Sequence, residues 1–182
     1  MNTVRVYYTA PAHEAEAIGM VGLKAVPLGA TEIDKIIDEQ RPASLSVSRS
    51  ESIRGHLLFN DQLLDNKTGI LVDPKKKKAA RTAAFAITID PKKAFISDCE
   101  AYDLIAKAVE QKAPADAIRS LARAYWKKLV PGTEVVARYA VDGKSLVLQK
   151  KPENEDALPC HFSNVEVLIV GDVDPTHIHQ LA

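Results

Sequence analysis

The sequence predicts an α+β domain of packed, mostly antiparallel sheets with flanking helices. Three observations lead there. Strand-like runs stand at both ends of the chain, and amphipathic helical stretches lie between them. Two adjacent strand-like runs flank Asp142-Gly143, and Asp-Gly between such runs is a hairpin signal. Strand and helix do not alternate strictly, as a doubly wound parallel sheet would need. The count is roughly six strands and four helices.

The first strand is "TVRVYYT", rich in β-branched and aromatic residues. "PAHEAEAIGMVGL" reads as a short helix beginning after Pro11, with Gly22 as a C-cap. "TEIDKIIDEQ" sets Ile33, Ile36 and Ile37 on one helical face behind a Thr31 N-cap, and Pro42 follows its end. "ASLSVS" alternates as a strand would, with Ser44, Ser46 and Ser48 on one face. Ser48 and Glu51 have capping-box spacing, so a helix is expected from there to about Phe59. Residues 60–80 read as a loop-rich insertion carrying the lysine run Lys75 to Lys78.

"TAAFAITID" reads as a buried strand. Ser97 and Glu100 repeat the capping-box spacing and open a helix lined by Tyr102, Ile105 and Val109. A further helix begins near Pro114, with Ile118, Leu121, Ala122, Tyr125 and Leu129 on one stripe. The Asp142-Gly143 hairpin and the polar loop "KPENEDALP" come next, and then a last apolar strand.

Composition bounds the function. The 182 residues suit one domain, 1–182, with a substantial core. The chain is 46% hydrophobic and 26% charged, with 24 basic and 24 acidic side chains. It therefore carries no global basic field that would advertise nucleic acid or an acidic membrane. Cys99 and Cys160 form neither a disulfide framework nor a metal spacing. No signal segment or membrane-length apolar run is visible, so the chain reads as cytoplasmic with no membrane partner.

One residue stands out. Five of the six positions from Val165 to Val170 are aliphatic, and the sixth is Glu166. A carboxylate removed from water is costly unless something pairs with it. Glu166 lies either at a solvated strand end or in a site that uses its charge.

The stretch Glu166, Val167, Gly171, Val173, Pro175 and Ile178 resembles the last catalytic motif of the ADP-ribosyltransferase superfamily. "VYYTAPAHEAEAIGMVGL" is similar to its first strand, Pro-containing turn, short helix and Gly-Leu. "SLSVSRSESIRGHLLF" is similar to its Ser-x-Ser strand running into a helix, and "AAFAITIDPKKAFISDCEAYDLI" to a strand and Asp-Pro stretch of many members. The resemblance implies an ADP-ribosyltransferase-like fold and a toxin-like intracellular transferase using NAD as substrate. Its macromolecular acceptor would be a protein or nucleic acid.

In such enzymes the nicotinamide–ribose bond breaks through an oxocarbenium-like transition state, which a glutamate faces. The resemblance assigns that role to Glu166. It implies NAD contacts from Tyr7 or Tyr8, which stand where the family carries Arg or His. It implies further contacts from Arg5, Ser46 and Ser48. Asn164 stands two residues before the glutamate, where arginine-modifying members carry Glu or Gln.

Each residue also has a plainer reading. Ser48 is a natural N-cap, Ser46 a strand serine, a first-strand tyrosine a core residue, and Arg5 a surface arginine. The lysine run reads as a solvated loop. His13, His56, His177 and His179 read as surface or packing residues, with no metal spacing. Two other functions fit the same fold: an RNA 2′-phosphotransferase-like enzyme, and a binding module without catalysis.

Overall fold

The computed structural model describes residues 3–25, 30–65, 68–77, 79, 81–139, 143, 145–151, 162 and 164–181. The chain is α+β, with four α-helices and entirely antiparallel strand pairing among the described residues. The strands are β1 (Val4–Pro11), β2 (Ile53–Phe59), β3 (Gln62–Leu64), β4 (Leu71–Val72), β5 (Thr82–Ile89), β6 (Ala94–Asp98), β7 (Val130–Pro131), β8 (Val135–Tyr139), β9 (Leu146–Lys150), β10 (Val165–Ile169) and β11 (Ile178–Leu181). The helices are α1 (Ala15–Val21), α2 (Glu32–Glu39), α3 (Glu100–Glu110) and α4 (Ala115–Lys128).

Seven strands follow one another across the main sheet in the order β11-β5-β1-β2-β10-β6-β7, while β3 and β4 extend from β2. The hairpin β8–β9 forms a separate two-stranded ribbon. Val135, Leu146 and Leu148 of that ribbon share one core with Val6, Leu57, Val167 and Ile169 of the main sheet. The opposite face of the sheet is covered around β10 by α2, α3 and α4. There Leu168 packs with Ile37, Ile105, Ala122, Tyr125 and Trp126. Trp126 Nε1 donates to the Ile37 carbonyl at 2.7 Å and ties α4 to α2.

Several elements follow the local rules. Thr31 accepts from the Asp34 amide and Asp34 accepts from the Thr31 amide, a complete capping box on α2. Gly22 ends α1 at φ 78°, a left-handed conformation that glycine adopts without strain. Directly after it, Leu23 and Val173 exchange two backbone hydrogen bonds of 2.9 Å, joining two of the motif-bearing stretches.

Other expectations fail. Residues 43–52 are neither strand nor helix, and the expected helix reaching Phe59 is β2. Asp38, in the last turn of α2, is the cause. Its carboxylate accepts from Ser48 Oγ (2.7 Å), Arg49 N (2.8 Å), Ser50 N (2.9 Å) and Ser50 Oγ (2.5 Å). The hydroxyls that would cap a helix are spent on this turn. A helix through 53–59 would also bury Gly55 in its interior, at a cost of about 1 kcal/mol relative to Ala.

The Ser97 capping box likewise does not form. Ser97 is a strand residue in β6, a strand the sequence did not announce, and Asp98 accepts from the Glu100 amide at 3.1 Å instead. The insertion at 60–80 is partly ordered by β3, β4 and a 3-10 turn over Pro74–Lys77, where Lys75 and Lys76 are exposed. The hairpin forms as expected, with Val135 opposite Lys150 and Tyr139 opposite Leu146. Asp142, Lys78, Cys160 and most of "KPENEDALP" lie outside the described residues.

The strand β2 decides the shape. Its residues His56 to Leu58 pair with Tyr7 to Arg5 of β1, whereas Ile53 to Gly55 pair with Ile169 to Val167 of β10. The joint falls at Gly55. A Cβ there would stand 2.4 Å from Val6 Cγ1 and 2.7 Å from the Tyr7 carbonyl oxygen. Gly55→Ala is therefore expected to destabilise the fold by about 1–3 kcal/mol through overpacking at this joint. Urea unfolding of the variant beside wild type measures it.

Candidate functional site

At the joint, β1 leaves β2 just as β10 joins it, and a cavity of about 110 Å³ opens there. Tyr7, Tyr8, Thr9, Arg54, Gly55, His56 and Glu166 line it. Tyr7 stands opposite His56 in the β1–β2 ladder, and Glu166 stands opposite Ser97 in the β10–β6 ladder. Strand alternation puts Tyr7, His56 and Glu166 on one face of the sheet, the face that α2, α3 and α4 cover only around β10.

Glu166 is 8% exposed and fully paired. The Arg49 guanidinium donates to both of its oxygens, Nη1 to Oε2 in a close contact and Nη2 to Oε1 at 3.0 Å. Arg49 itself is only 3% exposed. Its Nε donates to Asp34 Oδ1 at 2.7 Å and its Nη1 to the Tyr125 hydroxyl at 2.8 Å. The guanidinium lies 4.3 Å from the centre of the Tyr102 ring, within cation–π range. Arg54 completes the set by donating to both oxygens of Asp34, at 3.1 and 3.0 Å. Two cations and two carboxylates thus balance in one network, buried except at Arg54.

Burial alone would lift the Asp34 carboxyl, but the Thr31 amide and the Arg54 and Arg49 charges outweigh it and hold Asp34 below the ordinary carboxylate range. Burial also works against the charge on Arg49, and the facing Glu166 carboxylate more than restores it. Burial raises the Tyr125 phenol despite the Arg49 charge. The Cys99 thiol is pushed up by burial and by Glu166, so it carries no reactive thiolate. The Ser97 hydroxyl is buried near Tyr125 without a well-formed hydrogen bond.

The expected site residues separate into two groups. Glu166, Tyr7 and Tyr8 reach one cavity. Tyr7 is 4% exposed, packs beside Leu58, Leu63, Ala84 and Ala86, and has a buried hydroxyl with no partner among the described residues. Tyr8 is half-buried, and burial and Glu14 raise its phenol against the pull of Arg54.

The other three do not reach it. Arg5 pairs with Asp61 at the far end of β1 and lines no part of the cavity. Ser46 is exposed on an irregular segment, not on a strand face beside Glu166. Ser48 is buried, but its hydroxyl serves Asp38 and not a ligand or Glu166. The sequence reading also missed Arg49, Asp34, Arg54 and His56. The only local signal for Arg49 was its place between two serines after the alternating run, and nothing local announced its 117-residue span to Glu166.

A larger cavity of about 300 Å³ lies at the other end of β10, lined by Asp90, Lys93, Ile169, Asp172, Val173, Asp174 and His177 among others. None of the expected site residues reaches it. Asp90 and Asp174 cap 3-10 turns there, and Asp172 pairs with Lys24 at 2.8 Å. Among the described residues, no group suited to a metal ion occurs and no helix is long and apolar enough to cross a membrane. No protein-family model, curated protein or solved structure gives a significant match to the chain.

Removing Arg49 strands the buried Glu166 carboxylate and leaves Arg54 as the one cation on Asp34. Arg49→Ala is expected to cost about 3–5 kcal/mol of stability, the range for breaking a buried ion pair from one side. Denaturant titration near neutral pH reads this directly. The depressed Asp34 carboxyl has its own signature. A folded-state pKa below the unfolded value of about 3.9 contributes stability that is complete above that value and is lost as pH falls through the folded one. Asp34→Asn should therefore flatten the stability–pH curve on the acid side of pH 4 relative to wild type, as thermal melts across a pH series would record.

Proposed function

We propose that this chain is an ADP-ribosyltransferase-like enzyme that cleaves the nicotinamide–ribose bond of NAD beside Glu166. The observation that carries the reading is one juxtaposition: a buried carboxylate on a central strand opens onto the same small cavity as both first-strand tyrosines. This juxtaposition supports one part of the motif resemblance, a strand glutamate beside the first strand, through residues about 160 positions apart.

The geometry suits electrostatic catalysis. The Arg49 fork fixes the Glu166 carboxylate in one orientation, and a strand holds it more rigidly than a loop would. A preset, buried charge needs little reorganisation as positive charge develops on the ribose. The cavity volume is below that of a pocket enclosing a drug-sized ligand, so one ring or sugar enters and the rest of the dinucleotide lies along the surface. Tyr7 and Tyr8 both contribute to the cavity wall, beside the Glu166 carboxylate.

One observation favours a second reading, a binding module on the same fold. The Glu166 charge is already answered by Arg49, and such pairs also occur as structural cross-braces. The two readings separate on nicotinamide release. Purified protein with labelled NAD, tested with water, oligonucleotides and a protein mixture as acceptors, is expected to free nicotinamide. Glu166→Gln, compared with wild type at temperatures where its melting curve shows it folded, is expected to lower that rate by about 10²–10³. NAD binding without any release from wild type would select the binding module, and neither binding nor release would remove the NAD reading altogether.

A further inference from the structure

Transfer of ADP-ribose to a neutral acceptor leaves a proton to dispose of, and the cavity contains few groups able to take it. Both Glu166 oxygens are held by Arg49. Arg54 is a cation engaged by Asp34. The Tyr7 and Tyr8 phenols are raised by burial and stay protonated. Thr9 offers a hydroxyl of no useful basicity. The remaining group is His56.

We propose that His56 is the general base of this site, serving the acceptor while Glu166 serves the ribose. His56 is exposed and lines the cavity, and its imidazole makes no hydrogen bond or ion pair with the described residues. It stands opposite Tyr7 on β1. The β2–β10 register pairs Gly55 with Val167, so one further step along both strands sets His56 beside Glu166 on the same face. The buried carboxylate thus marks where the sugar cation forms, and the free imidazole borders that place from the open side.

The step balances. The C1′–N1 bond breaks and its electron pair returns to the pyridinium ring, releasing neutral nicotinamide. A lone pair on the acceptor's oxygen or nitrogen forms the new bond to C1′. The proton from that atom passes to an imidazole nitrogen of His56 and then to water. Histidine is the side chain best suited to accept a proton near neutral pH. The acceptor class that needs this help has a weakly acidic O–H or N–H at the attacking atom: a hydroxyl, an amide-type ring nitrogen or water.

This inference rests on the proposed NAD cleavage, and the test separates the two. NAD with water as acceptor is the probe, read as nicotinamide release, with NAD affinity measured in parallel by calorimetry. His56→Ala, at an exposed strand position, is expected to keep its melting temperature and NAD affinity while losing about 10²–10⁴ in turnover. Added imidazole should restore part of that rate in His56→Ala and none in Glu166→Gln. An active wild type with an equally active His56→Ala overturns the role of His56 alone. A His56→Ala protein that loses NAD affinity, or that imidazole fails to rescue, overturns it too. A wild type that releases no nicotinamide overturns the NAD-cleaving reading as well.

Discussion

A single buried guanidinium organises this molecule. Arg49 lies between β10 and the helical layer, where a lone cation would be expelled toward water. It remains because every side of it is answered: Glu166 from the sheet, Asp34 from α2, the Tyr125 hydroxyl from α4, and the Tyr102 ring from α3. Four elements far apart in sequence meet on one side chain. The hydrophobic contacts of Ile37, Ile105, Tyr125 and Leu168 bring them near each other, but apolar packing is non-directional and sets no unique register. The forked hydrogen bonds of arginine do, because each donor direction is fixed.

The cleft follows from sheet topology. A strand shared lengthwise between two neighbours opens a gap wherever one neighbour departs, and β2 does so at Gly55. The gap receives side chains from β1, β2 and β10 on one face. Helices cover that face only around β10, so the carboxylate is buried while the imidazole beside it is open to solvent. A protected carboxylate and an accessible imidazole are thereby placed side by side by the same backbone arrangement. The further cleavage chemistry proposed for the chain uses that division.

Much of the local structure was legible in the residues. The strand at Val4–Pro11, the short helix ending at Gly22, the capped helix behind Thr31, the amphipathic helix after Pro114 and the β8–β9 hairpin all follow short-range rules. The stretch at 43–59 did not, because its local signals were ambiguous. Serine hydroxyls serve a helix cap or a carboxylate turn equally well, and Asp38, ten residues upstream of Ser48, captured them. Ser97 misled in the same way, since capping-box spacing does not reveal whether the first residue is already paired in a sheet.

The sequence by itself determined that an ionisable group sits in the apolar run from Val165 to Val170, that tyrosines crowd the first strand, and that the domain mixes helices with antiparallel strands. Those follow from composition and from periods of two and 3.6 residues, which each segment carries within itself. Only the tertiary structure decided that Glu166 is paired with Arg49, that Ser46, Ser48 and Arg5 serve elsewhere, and that His56 borders the carboxylate. Those relations depend on strand register and on the packing of helices against the sheet. Both are set by the burial of the whole chain, and no short stretch of residues records them.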